Sequence, residues 1–158
     1  MKDSDFIGKR VVSLADGAQV GTVKDLVFHE LELTALVIRG ERGEGLLPFA
    51  DLGKNGPDAI TIESFTLVDW NAGHALQPDG RTTRELRELS VFDANGKKLG
   101  HIHDFTMDVS GHVEDFAVRS GGVLGIGADE RVIDGSQVLA LGEDLITVKA
   151  SPKPTPKA

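Results

Sequence analysis

Imidazoles two residues apart on an extended strand share one face. Histidine nitrogens combined with carboxylate oxygens make a donor set that zinc or nickel accepts. His101 and His103 are spaced in this way, Asp104 follows, and Asp108 and His112 lie across the next turn. With His112 or Asp108 closing the set, the cluster is the candidate for a metal- or small-ligand-binding sensor. Against it stands an earlier stretch of the same pattern, in which Thr22 and Lys24 occupy the positions of the two imidazoles. Both are ordinary solvated strand residues, with Val23 and Ile102 reading as the inward positions between them. The polar residues then form an exposed face, and no cofactor is called for.

Other groups that could do chemistry are weaker. Asp25 recurs as Asp104 and Arg39 as Arg119. They read as a charged pair at a pocket repeated in each copy, or as carboxylates that accept backbone N–H bonds and fix a bend; the structural role is favoured. Gly122-Val123-Leu124-Gly125-Ile126-Gly127 is glycine-rich, but no strand-turn-helix context surrounds it, so it is no phosphate cradle. Its apolar side chains, Leu124 and Ile126, serve either to cap a barrel or to dock a protein. Trp70 has the same two uses, covering the end of a core or anchoring a partner. Ser110, Ser120 and Ser136 sit in turn-like contexts without a base beside them, and no catalytic residue is assigned.

The elements that position these residues follow from an internal repeat. Asp16-Gly17 and the run through Asp25 align with Asn95-Gly96 and the run through Asp104; Gly21 falls on Gly100 and Asp25 on Asp104, 79 positions later each time (100 − 21, 104 − 25). Further on, Leu52 matches Val138 and Ile62 matches Val148 at an offset of 86 (138 − 52, 148 − 62), so the second copy has gained residues around Gly121 to Asp129. Each copy reads as a meander of about five strands. Val11–Leu14 stops at Asp16-Gly17 and Ser90–Phe92 at Asn95-Gly96, dipeptides suited to the positive φ of tight hairpins. The break in alternation at Gly21 and Gly100 predicts a bulge in each second strand. Third, fourth and last strands follow in Ala35–Arg39, Leu46–Phe49 and Ala59–Ile62, then again in Asp115–Arg119, Arg131–Ile133 and Leu145–Val148. Short helical turns are expected before each first strand, one capped by Ser4 and one opened by Thr82-Thr83-Arg84-Glu85.

Composition narrows the function classes. A net charge of −8 and a pI near 5.0 weigh against a nucleic-acid partner, whose phosphates demand clustered cations. No apolar run approaches the roughly 20 residues of a membrane helix, so no membrane insertion is expected and the chain reads as cytoplasmic. Cysteine is absent, which removes disulfides and thiolate chemistry. A unit of about 60 residues buries only about 60% of its unfolded surface, so the two copies are expected to pack on each other or on a second chain.

Ile7-Gly8-Lys9 leading to Val12, then Asp16-Gly17, Gly21-x-Val23-x-Asp25, Leu36–Ile38 and Leu47-Pro48-Phe49-Ala50-Asp51-Leu52 resemble the PRC-barrel family. The second copy matches through Gly96, Gly100 to Asp104 and the Gly121 to Gly127 stretch. One departure is Asp134, which stands where the first copy has Pro48. The family includes the cytoplasmic domain of the photosynthetic reaction-centre H subunit and the C-terminal domain of a ribosome-maturation factor. The resemblance implies a small barrel used for docking in larger assemblies, with no shared catalytic residue.

The resulting expectation is an all-β protein of two tandem barrels: residues 4–70 and 83–150, a linker at 71–82 and a Pro-rich disordered tail at 151–158. Its expected role is a non-catalytic adaptor for a protein partner, in a stress-related or envelope-associated assembly. The contact elements would be Trp70, Leu124 and Ile126, and the rim at Pro48 and Phe49. Gly21, Asp25, Gly100 and Asp104 hold the repeat together. A metal sensor using His101, His103, Asp108 and His112, and a self-assembling homodimer, are the alternatives.

Overall fold

The computed structural model describes residues 1–71, 80–121 and 129–150. The chain divides into two compact units, Lys2–Thr83 and Arg84–Ala158, with Met1 grouped with the second. Leu124, Ile126, most of the linker and the Pro-rich tail lie outside the described residues.

The first unit runs β1 (Arg10–Ser13), β2 (Ala18–His29), β3 (Glu32–Gly40), β4 (Gly43–Pro48), β5 (Leu52–Asn55), β6 (Ala59–Ile62) and β7 (Arg81–Thr82). Its sheet order is β4-β3-β2-β1-β6-β5, with β7 pairing the far end of β2 at Val27 and Phe28. β1 lies between an antiparallel neighbour, β2, and a parallel one, β6. The two edge strands, β4 and β5, are consecutive in the chain and joined by the one-turn helix Phe49–Asp51, so the sheet curls back toward itself. Val11, Leu26, Leu36, Ile38, Leu47, Ile60 and Ile62 are wholly buried. In β1 and β6 they alternate with less buried residues, whereas in β2, β3 and β4 their neighbours Val27, Ala35, Val37 and Leu46 are buried as well and form a second cluster.

The second unit opens within α1 (Thr83–Glu88), whose first residue is grouped with the first unit, and continues through β8 (Ser90–Asp93), β9 (Lys98–Met107), β10 (Val113–Arg119), β11 (Glu130–Asp134), β12 (Val138–Leu141) and β13 (Leu145–Val148). Its order, β11-β10-β9-β8-β13-β12, repeats the first topology strand for strand. Buried Phe105 and Phe116, with ring centroids 6.5 Å apart, stand where the first unit has Leu26 and Leu36.

Each unit therefore has a strand that was not expected, β5 and β12, which follow the one-turn helices directly, and the first unit adds β7, formed by Arg81 and Thr82 of the expected linker. The hairpin turns carry positive φ at Gly17 (61°) and Gly96 (80°). The expected bulges fall beside the repeated glycines: Val20 is extra between the pairs Val11–Gly21 and Val12–Gln19, and Leu99 between Val91–Gly100 and Phe92–Lys98. Each of β2 and β9 then has a second bulge, at Lys24 and at His103. The Ser4 cap is not formed. Ser4 lies inside the turn Asp3–Asp5, and the Asp5 carboxylate accepts the Lys2 backbone N–H at 2.8 Å instead.

Pro48 and Asp134 occupy the same place, immediately before the one-turn helices Phe49–Asp51 and Gly135–Gln137. Proline presets the backbone there (φ −57°), whereas Asp134 accepts the Ser136 backbone N–H at 2.8 Å. The backbone and side-chain hydrogen bonds from Ser136 hold the Asp134 carboxyl below its ordinary pKa. A depressed carboxylate contributes stability above its unfolded pKa and loses it as pH falls through the folded value. Asp134→Ala should cost about 0.5–1 kcal/mol at neutral pH, the low end for an exposed cap. That difference should vanish in acid, as urea unfolding at descending pH will show.

Candidate functional site

The histidine cluster is not assembled. Shared orientation of His101 and His103 requires regular alternation, and the bulge at His103 breaks it. His101 is exposed, its Nε2 3.4 Å from the Ser90 hydroxyl, while His103 Nε2 lies 3.7 Å from the carboxylate of neighbouring Asp104. Asp108 is engaged in the β9–β10 turn, where its Oδ1 accepts the backbone N–H groups of Ser110 (2.8 Å) and His112 (3.0 Å). Among the described residues no group of three metal-ligating side chains comes together.

Among the described contacts the repeated aspartates and arginines do not pair with one another. Asp25 Oδ1 accepts the Leu26 backbone N–H at 2.8 Å, directly after the bulge. Arg39 and Arg119 face glutamates on the adjacent strand rather than the aspartates: Arg39 lies 3.5 Å from Glu44 and Arg119 3.2 Å from Glu130. Such exposed pairs are worth well under about 1 kcal/mol.

A different surface forms around Trp70. After the helical turn Phe65–Leu67 the chain runs alongside β4, and the backbones of Leu46 and Asp69 exchange hydrogen bonds of 2.9 and 2.8 Å. Alternation places Val68 and Trp70 opposite Asp69, on the face shared by Gly45 and Leu47. The lack of side chains there is what admits them: a Cβ on Gly45 would stand 2.7 Å from both the Trp70 ring and a Val68 methyl, and one on Gly40 3.0 Å from Trp70. Trp70 thus covers one end of the first barrel's core and is itself half-buried. Its indole N–H is buried without a partner.

Beside Trp70 lies a depression of about 530 Å³, lined by Ala18 to Thr22 of β2, Arg39 and Gly40 of β3, Glu41 and Arg42 of the following turn, Phe65 and Trp70. Phe65 is held there because its backbone N–H donates to Asp16 Oδ2 (3.2 Å), and the same carboxylate accepts the Ser13 hydroxyl at 2.5 Å. The Arg42 guanidinium sits 5.7 Å from the centre of the Phe65 ring, a cation–π arrangement. Pro48 and Phe49, both half-buried, lie at the opposite end of β4 and do not join this surface. Phe65, Arg42 and the glycines at 40 and 45 were not legible as site residues, although three glycines between positions 40 and 45 mark a place cleared for something large.

Residues 1–68 and 78–153 each match the PRC-barrel domain. No curated protein matches the chain. No described helix is long and apolar enough to cross a membrane. With both halves matched and both folded on one barrel-like topology, the chain belongs to the PRC-barrel family, as a tandem pair of its domains.

Proposed function

We propose that this chain is a non-catalytic docking module, in which the first barrel holds a protein partner on the Trp70 depression. The observation that carries this reading is a control within the chain. The second copy builds the same topology with Ser120 in place of Gly40 and Arg131 in place of Gly45. Stability of the fold therefore does not demand glycine at these two positions, and seating Trp70 beside a partner-binding depression gives the glycines a use.

Cross-linked pull-down from native extract tests the proposal, with Phe65→Ser as the control. Phe65 is more than a third exposed, so the substitution leaves the core intact. Wild type should recover one stoichiometric partner that Phe65→Ser loses. A partner retained equally by both proteins, or recovery of nothing beyond the chain itself, would remove the depression from consideration.

A further inference from the structure

Resting on that docking reading, we propose that the occupant is an acidic peptide segment of the partner. One large apolar side chain enters the depression against Phe65 and Trp70, and a neighbouring carboxylate meets Arg39 and Arg42. Charge is the first argument. The protein carries −8 overall, yet two guanidiniums border this depression against one lining carboxylate, Glu41. Nearby Glu44 does little to neutralise Arg39, because Lys24 holds the same Glu44 oxygen at 2.6 Å while Arg39 stands at 3.5 Å with 60% of its side chain exposed.

Preorganisation is the second argument. The Arg42 guanidinium already lies over the Phe65 ring, 5.7 Å from its centre, at the edge of the depression, so less entropy is lost when it pairs with a carboxylate there. The walls supply the third. Ala18, Gln19, Thr22, Glu41 and Arg42 are all exposed, so the depression is wide and open. An enclosed small-molecule site instead buries most of its ligand's surface. Arginine with aromatic rings also suits single-stranded nucleic acid, but a run of phosphates needs more clustered cations than the two guanidiniums that line this depression.

Trp70 is the sole tryptophan and there is no tyrosine, so intrinsic emission reports on this depression alone. The experiment titrates the full chain with a short synthetic peptide in which aspartates flank a central leucine. Comparison ligands are the same peptide with lysine for aspartate, the same peptide with serine for leucine, and a short oligothymidylate. The acidic leucine peptide should give a saturable change that weakens with added salt. Arg42→Glu, folded by circular dichroism, should weaken it roughly tenfold or more. Equal binding of the lysine peptide, preference for the oligonucleotide, or undiminished binding by Arg42→Glu overturns the proposal. If the acidic peptide fails while the pull-down partner still depends on Phe65, the acidic chemistry falls and the docking reading stands; loss of both removes the two together.

Discussion

Gly100→Ala is expected to lower stability by about 3–5 kcal/mol, at the upper end for a single added methyl group. Two costs coincide there. Gly100 has φ +132°, a backbone conformation that alanine resists, and its added Cβ would fall on the Arg119 carbonyl oxygen and within 2.8 Å of the Ser120 nitrogen. Both obstacles are backbone atoms of β10 and its end, so no side-chain rotation relieves them. Gly21 gives the comparison. Its Cβ would meet the Arg39 carbonyl in the same way, but it is not among the positive-φ glycines, so Gly21→Ala bears only the packing cost of about 1–3 kcal/mol. Urea unfolding followed by circular dichroism should rank Gly100→Ala below Gly21→Ala and both below wild type. A reversed order would mean that neither the dihedral nor the close backbone approach at Gly100 sets the cost at this corner.

Those two glycines also show what the amino-acid pattern discloses and what it conceals. The repeat, the hairpin turns at Gly17 and Gly96 and the first bulge in each long strand were legible, because each needs a residue type that little else can replace. The second bulge, at Lys24 and His103, was not. A bulged residue needs no special side chain, so the His-x-His spacing looked regular when the backbone beneath it was not. β5 was missed because Leu52-Gly53-Lys54-Asn55 has little strand character; it forms where Lys54 N–H and Asn55 can pair with β6. The Trp70 depression was only partly legible. Trp70 itself stood out, but its neighbours come from β2, β3 and two separate turns. Phe65 is tied in by Asp16, 49 residues earlier, a link that no local pattern announces.

Gly45→Arg gives the first barrel the residue that the second carries opposite Val118, and it should expel Trp70 from its seat. Gly45 pairs with Ile38 as Arg131 pairs with Val118, so the new side chain starts on the face where the indole and Val68 lie. Even a methyl group there would be 2.7 Å from the Trp70 ring, and arginine cannot be accommodated by a shift of a few tenths of an ångström. Displacement gives up the apolar contact of Trp70 and Val68 with the core end, a loss of about 2–4 kcal/mol. The second barrel shows that arginine is tolerated at this register, so the variant should fold, with a lower unfolding midpoint. Since the displaced indole enters water, the emission maximum should move to longer wavelength in the native protein, and the acidic peptide should lose its response. Gly45→Ala should shift both readouts in the same direction by less. An emission spectrum unchanged by Gly45→Arg would mean that the ring does not rest on the cleared face of β4, and the proposed docking depression would then lose the wall that sets it apart from the second barrel.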